Sequence, residues 1–110
     1  MRYALLICHD ENVITGTDPD RVAGFNALYE QLGDRLLDAI RLRPTTTATT
    51  VQVRDGGVVI ADGPFAETKE QIAGFLIIDC GDLNEALKVA SQVPAAHYGT
   101  IEVRPVWEPC

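Results

Sequence analysis

Val51-Gln52-Val53-Arg54-Asp55-Gly56-Gly57-Val58-Val59-Ile60-Ala61-Asp62-Gly63-Pro64-Phe65 gives the sharpest local reading in this chain. Two alternating runs flank Asp55-Gly56, the composition of a two-residue primed turn, so the stretch reads as a β-hairpin. That turn sets the register: Arg54 opposite Gly57, Val53 opposite Val58, Val51 opposite Ile60, Thr49 opposite Asp62. Side chains alternate between faces, which puts Asp62 with Val51, Val53, Val58 and Ile60. The other face carries Gln52, Arg54, Val59 and Ala61 and is more polar. A strand cannot continue through Gly63-Pro64, because Pro64 has no N–H for the ladder and Gly63 is free to take conformations closed to other residues. Phe65 then supplies an apolar anchor after the bend. Asp62 is expected to sit close to Thr49 and mostly buried, tying down the turn or taking part in chemistry.

Upstream, Tyr3 to Cys8 is a short continuous apolar run suited to a central strand. Thr15-Gly16-Thr17 reads as a loop. Asp18-Pro19 starts a helix, with Asp18 as cap and Pro19 in the first turn. Val22, Phe25, Leu28, Tyr29 and Leu32 recur at helical spacing, and Gly33 stops the helix. Asp34 to Leu42 fits either a helix or a short strand. Thr45 to Thr50 is nearly all threonine and favours extended chain. Downstream, Thr68-x-x-Gln71 could cap a helical turn. Ala73 to Asp79 is a buried strand, Asp82-x-x-Glu85 opens a second helix ended by Pro94, and Ile101 to Arg104 alternates as a last strand. No linker or repeat divides residues 1–110, so they form one domain.

This order of elements predicts a ferredoxin-like α+β fold: a mainly antiparallel sheet with two helices on one face. Two helices leave the other sheet face bare, and its apolar residues would form a large exposed patch. A homodimer stacking sheet on sheet would cover it. The net charge of −7 disfavours nucleic-acid and anionic-membrane partners. Cys8, Cys80 and Cys110 are odd in number and widely spaced, which points to reduced thiols in a cytoplasm rather than disulfides. The apolar run at the N-terminus is too short for a signal peptide and stops at His9-Asp10-Glu11.

The sequence carries no nucleophile–base pair, phosphate loop, metal cluster or cofactor motif. Candidate chemistry rests on His9, Asp10 and Asp62. His9 and Asp10 end the first strand, where side chains reach the sheet edge and a possible cleft. Being adjacent, they point to opposite faces and need partners from elsewhere, such as Asp62 or Lys69. Histidine is the usual general base near neutral pH. His97-Tyr98, after the second helix, is placed to pack in a turn or to line a pocket. Cys8 is expected to face away from His9 and to pack as a small apolar residue.

Thr47-Ala48-Thr49-Thr50-Val51, Asp62-Gly63-Pro64-Phe65-Ala66-Glu67-Thr68-Lys69-Glu70-Gln71, Gly74-Phe75 and Gly99-Thr100-Ile101-Glu102-Val103-Arg104-Pro105-Val106 resemble the DGPF branch of the YCII-related family over nearly the whole chain. The resemblance implies a dimeric α+β barrel with a cleft beside the sheet, and an extended Asp34 to Leu42. Some family members are similar to muconolactone isomerases, and one relative is a dehydrochlorinating enzyme. This implies a small organic ligand and an acid–base isomerase or eliminating lyase without a cofactor. The family's proposed His–Asp pair has its Asp at the end of the first strand, where Asp10 stands. Its His lies on the first helix, and Pro19 to Leu32 contains none, leaving His9 as a replacement from a different place. DGPF proteins are also associated with extracytoplasmic-function sigma factors, which implies the alternative of a non-catalytic regulatory module.

Overall fold

The computed structural model describes residues 1–13 and 18–108, so Thr15-Gly16-Thr17 and Cys110 lie outside the described residues. The elements run β1 (Arg2–His9), α1 (Pro19–Leu32), β2 (Leu36–Arg41), β3 (Thr49–Arg54), β4 (Gly57–Asp62), β5 (Gln71–Asp79), α2 (Leu83–Gln92) and β6 (Thr100–Pro105). A four-stranded sheet has the order β2-β5-β1-β6, with every neighbouring pair antiparallel. This is the α+β arrangement read from the sequence. The ambiguous 34–42 segment resolves as an edge strand.

The helix ends follow local chemistry. Asp18 accepts from the Asp20 amide at 2.8 Å, Pro19 opens α1, and Gly33 closes it at φ +53°. In α2 the Asp82 carboxylate accepts from the Glu85 amide at 2.9 Å, while Glu85 reaches back to the Gly81 amide at 2.8 Å. The Gly81 amide first, and then Arg35 at 2.9 Å, hold the Glu85 carboxyl below its ordinary value. A lowered carboxyl contributes stability that is present above its unfolded pKa and lost as pH falls through the folded one.

The core lies between one sheet face and the helices. Tyr3, Leu5 and Ile7 of β1 alternate inward beside Leu76 and Ile78 of β5, against Leu28 and Leu32 of α1 and Ala86, Val89 and Ala90 of α2. Leu5, Leu76, Ile78 and Val93 are fully buried. Each contributes about 1.5–3 kcal/mol of transfer free energy. The stripe predicted along α1 is only half used for packing. Leu28 and Leu32 are buried, but Phe25 and Tyr29 are half-buried and Val22 is exposed.

The hairpin has the register read from the sequence, with Thr49 opposite Asp62. Asp55 and Gly56 both have positive φ (52° and 76°), as a primed turn requires, and Gly63 bends the chain at φ +92°. Its burial corrects the expectation for Asp62. β3 and β4 form a two-stranded sheet of their own, so the face shared by Asp62 meets no second layer. Val51, Val53, Val58 and Ile60 are each more than 60% exposed, and Asp62 is exposed with them. Phe65, expected as an anchor, is 80% exposed. Thr68 and Gln71 cap no helix: the Gln71 side-chain Nε2–H donates to the Thr68 carbonyl at 2.6 Å in an irregular turn leading into β5.

The molecule is thin, 47 × 37 × 19 Å, with a radius of gyration of 15.8 Å. A compact chain of this length has about 13 Å. It exposes 7569 Å², against about 6,000 Å² for a compact monomer of its mass.

Gly74 pairs with Arg41 of β2, and a side chain there would run into the Ile40 carbonyl and the Arg41 backbone. Backbone cannot rotate aside as a side chain can. Gly74→Ala is therefore expected to destabilise the fold by about 1–3 kcal/mol, read as a lowered urea midpoint. A midpoint equal to wild type would show that the strands part without cost.

Candidate functional site

A cavity of about 560 Å³ opens between the first half of α1 and the β2–β5 side of the sheet. Its origin is the half-docked helix together with small residues on the sheet. Where the buried row of β5 reaches Gly74, no side chain fills the layer, and Ala39 and Ala73 beside it are short. Val22, Phe25 and Tyr29 of α1 roof this floor. The apolar stripe thus serves two purposes, packing at its C-terminal end and lining a cavity at its N-terminal end. Burial raises the Tyr29 phenol above its ordinary value, so it faces the cavity protonated at neutral pH.

His9 lies on this wall because it continues the inward alternation of Tyr3, Leu5 and Ile7. At the end of β1, Ile7 pairs with Gly74 but Cys8 pairs with Ile72, leaving Ala73 as an extra residue in β5. Such bulges frequently lie next to functional sites. The chain beyond is pinned from the other side, since a Cβ on Gly99 would strike the Cys8 carbonyl and come within 3.0 Å of the His9 Cβ. The His9 ring packs beside Tyr98, centroids 6.1 Å apart, and the Arg21 guanidinium stands over the Tyr98 ring at 5.5 Å. Nδ1 of His9 is buried and has no hydrogen-bond partner among the described residues.

Glu11 also lines the cavity. Both its carboxylate oxygens are engaged by Thr45, from the backbone N–H at 2.9 Å and the hydroxyl at 2.6 Å. The Glu11 amide donates to the Gln71 side chain at 3.0 Å. One residue therefore ties the end of β1 to the segments before β3 and at the start of β5.

Of the three candidate residues, the structure brings only His9 to the cavity. Asp10 follows the last residue of β1, is not among the lining residues, and accepts from the Asn12 amide at 2.9 Å in a local turn. Asp62 lies on the exposed hairpin, and Lys69 is also outside the lining. Tyr98 lines the cavity while His97 is exposed. Arg21, Arg41 and Glu11 were not singled out from the sequence. The signal for Arg21 was its place on the same helix face as Phe25, one turn on; Glu11 was visible only as the polar stop after β1. Cys8 is on the opposite sheet face, its thiol pushed up by partial burial and then by Glu102 and Glu70, so it is a poor nucleophile. Among the described residues no three His, Cys, Asp or Glu side chains gather as a metal-binding set. No described helix is long and apolar enough to cross a membrane.

The model of the YCII-related domain matches residues 1–109. The chain belongs to the YCII-related family. The family fold is the ferredoxin-like dimeric α+β barrel, and the βαββαβ core with an inserted hairpin is this chain's version of it. The chain is also 40% identical over 115 residues to an uncharacterised protein of Rhizobium meliloti (strain 1021), a match covering 96% of this chain and 92% of that one.

Two substitutions separate the cavity from the hairpin. Glu11→Gln keeps the shape but weakens two charge-assisted bonds, and should cost about 1 kcal/mol with faster hydrogen exchange at the Thr45 amide. Unchanged exchange there would remove Glu11 from its structural role. Asp62→Asn, at an exposed site, should stay within about 0.5 kcal/mol of wild type; a larger loss in the same urea titration would mean that Asp62 holds the turn after all.

Proposed function

We propose that this YCII-related protein binds a small organic molecule in the cavity beside His9. The observation that supports this most is the cavity itself: about 560 Å³ of largely apolar wall on which His9, Arg21 and Tyr98 converge. Ligand sites typically have about 300–1,000 Å³, apolar walls and a few placed polar groups. A regulatory module working by surface contact alone has no need of such a cavity. Acid–base turnover has less support than binding, since Asp10 serves a turn and Asp62, on the exposed hairpin, is not among the lining residues. His9 is left without a carboxylate from that trio.

The working unit in this proposal is a cytoplasmic homodimer. The monomer exposes roughly 1,500 Å² more than a compact chain of its mass, which is ample for one side of a subunit interface. The sheet face away from the helices, where Leu6, Phe75 and Ile77 are half-buried, and the exposed valine-rich face of the hairpin would supply it.

Amide NMR against a panel of small aromatic and aliphatic compounds tests binding. Shifts should cluster at His9, Gly74 and Tyr98, and Asn26→Trp, which fills the cavity from α1, should abolish them. Shifts confined to the hairpin would point to a surface role instead. Sedimentation should give a dimer at micromolar concentration, and Ile60→Lys on the exposed hairpin face should weaken it without loss of fold. A stable monomer would sink the dimer proposal.

A further inference from the structure

We infer that the cavity takes a small planar carboxylate, its charge facing Arg21 and one oxygen accepting a hydrogen bond from the Nε2–H of His9. This rests on the cavity being a small-molecule site and adds the chemical class of its occupant.

The first support is the state of His9. A neutral imidazole carries its proton on one nitrogen and offers a lone pair on the other. Here Nδ1 is sealed from solvent and unpartnered. A proton on Nδ1 would be an orphaned buried donor, the rarest kind of buried polar group, and would need room for a hydrogen. A bare lone pair needs no such room. The proton therefore belongs on Nε2, the nitrogen left to face the cavity that His9 lines. His9 in this tautomer is a donor. It can polarise or hold an acceptor oxygen, but it has no lone pair facing the cavity with which to take a proton.

The second support is the balance of charge at the wall. Glu11 and Asp18 also line the cavity, and Arg21 and Arg41 match their two negative charges; the carboxylates already accept bonds, Glu11 from both Thr45 donors and Asp18 from the Asp20 amide at the helix cap. Arg21 has no carboxylate partner among the described residues, only the Tyr98 ring beneath it. A guanidinium stacked on an aromatic ring keeps its edge N–H groups for a carboxylate, which it matches in shape. The same Tyr98 ring touches His9, so one aromatic side chain fixes both donors. Phe25 and Tyr29 supply flat apolar walls for a ring or conjugated chain. The chain's overall negative charge does not oppose this, because exposed charges beyond about 8 Å are largely screened at physiological salt.

Two measurements test the inference. Long-range ¹H–¹⁵N correlation should show the proton of neutral His9 on Nε2, with exposed His97 as the internal reference. A proton on Nδ1 would overturn the donor assignment. Three ring probes of one size then separate the charge classes: benzoate, benzyl alcohol and benzamidine. Benzoate should bind most tightly and shift the His9 Nε2 resonance, and Arg21→Gln should weaken it about tenfold or more, with Arg21→Lys intermediate. Benzamidine or benzyl alcohol binding as tightly as benzoate would overturn the carboxylate while leaving the cavity a small-molecule site. No binding by any of the three also overturns it, and the wider panel with Asn26→Trp decides separately whether the cavity binds anything.

Discussion

The pairing of β1 with β5 is the constraint on which the rest of this structure depends. Leu5 stands opposite Leu76 and Tyr3 opposite Ile78, and this double row is the floor on which both helices rest. The next pair in the row is Ile7 with Gly74. There the floor loses a side chain on one strand, and the absence is compulsory because β2 passes too close to admit one. The core and the cavity are two ends of one strand pairing, filled at one end and empty at the other. Anything that repacked the floor to close the cavity would first have to move β2.

Much of the architecture was legible from local chemistry. Asp18-Pro19, Gly33, Asp82-x-x-Glu85 and Asp55-Gly56 each set a boundary through backbone rules that need no tertiary information. Even the hairpin register followed from the turn alone. Burial did not, because alternation tells which residues share a face and not whether a second layer covers it. Asp62 was placed correctly in the ladder and wrongly in depth, since the hairpin leaves the main sheet. The same limit applied to α1: a helical stripe marks an apolar face but cannot distinguish packing from the lining of a cavity.

The site was legible to a smaller degree. His9 could be found because strand period and end position both pointed to it. Arg21, Arg41 and Glu11 come from a helix, an edge strand and a loop, and only tertiary folding brings them together. Glu11 was hidden further by its chemistry. A carboxylate that accepts two bonds from one threonine resembles, in sequence, any charged residue after a strand.

The hairpin leaves and rejoins the domain at a single point, where the Gly63 amide donates to the Ala48 carbonyl at 2.8 Å. Its two roots are already closed on each other, so the entropic cost of looping out the intervening residues is met there and grows only slowly with their number. No strand of the β2-β5-β1-β6 sheet pairs with the residues between Ala48 and Gly63. The hairpin is a detachable module in this sense: a change in its length alters no strand pairing of the main sheet, on which the cavity floor is built.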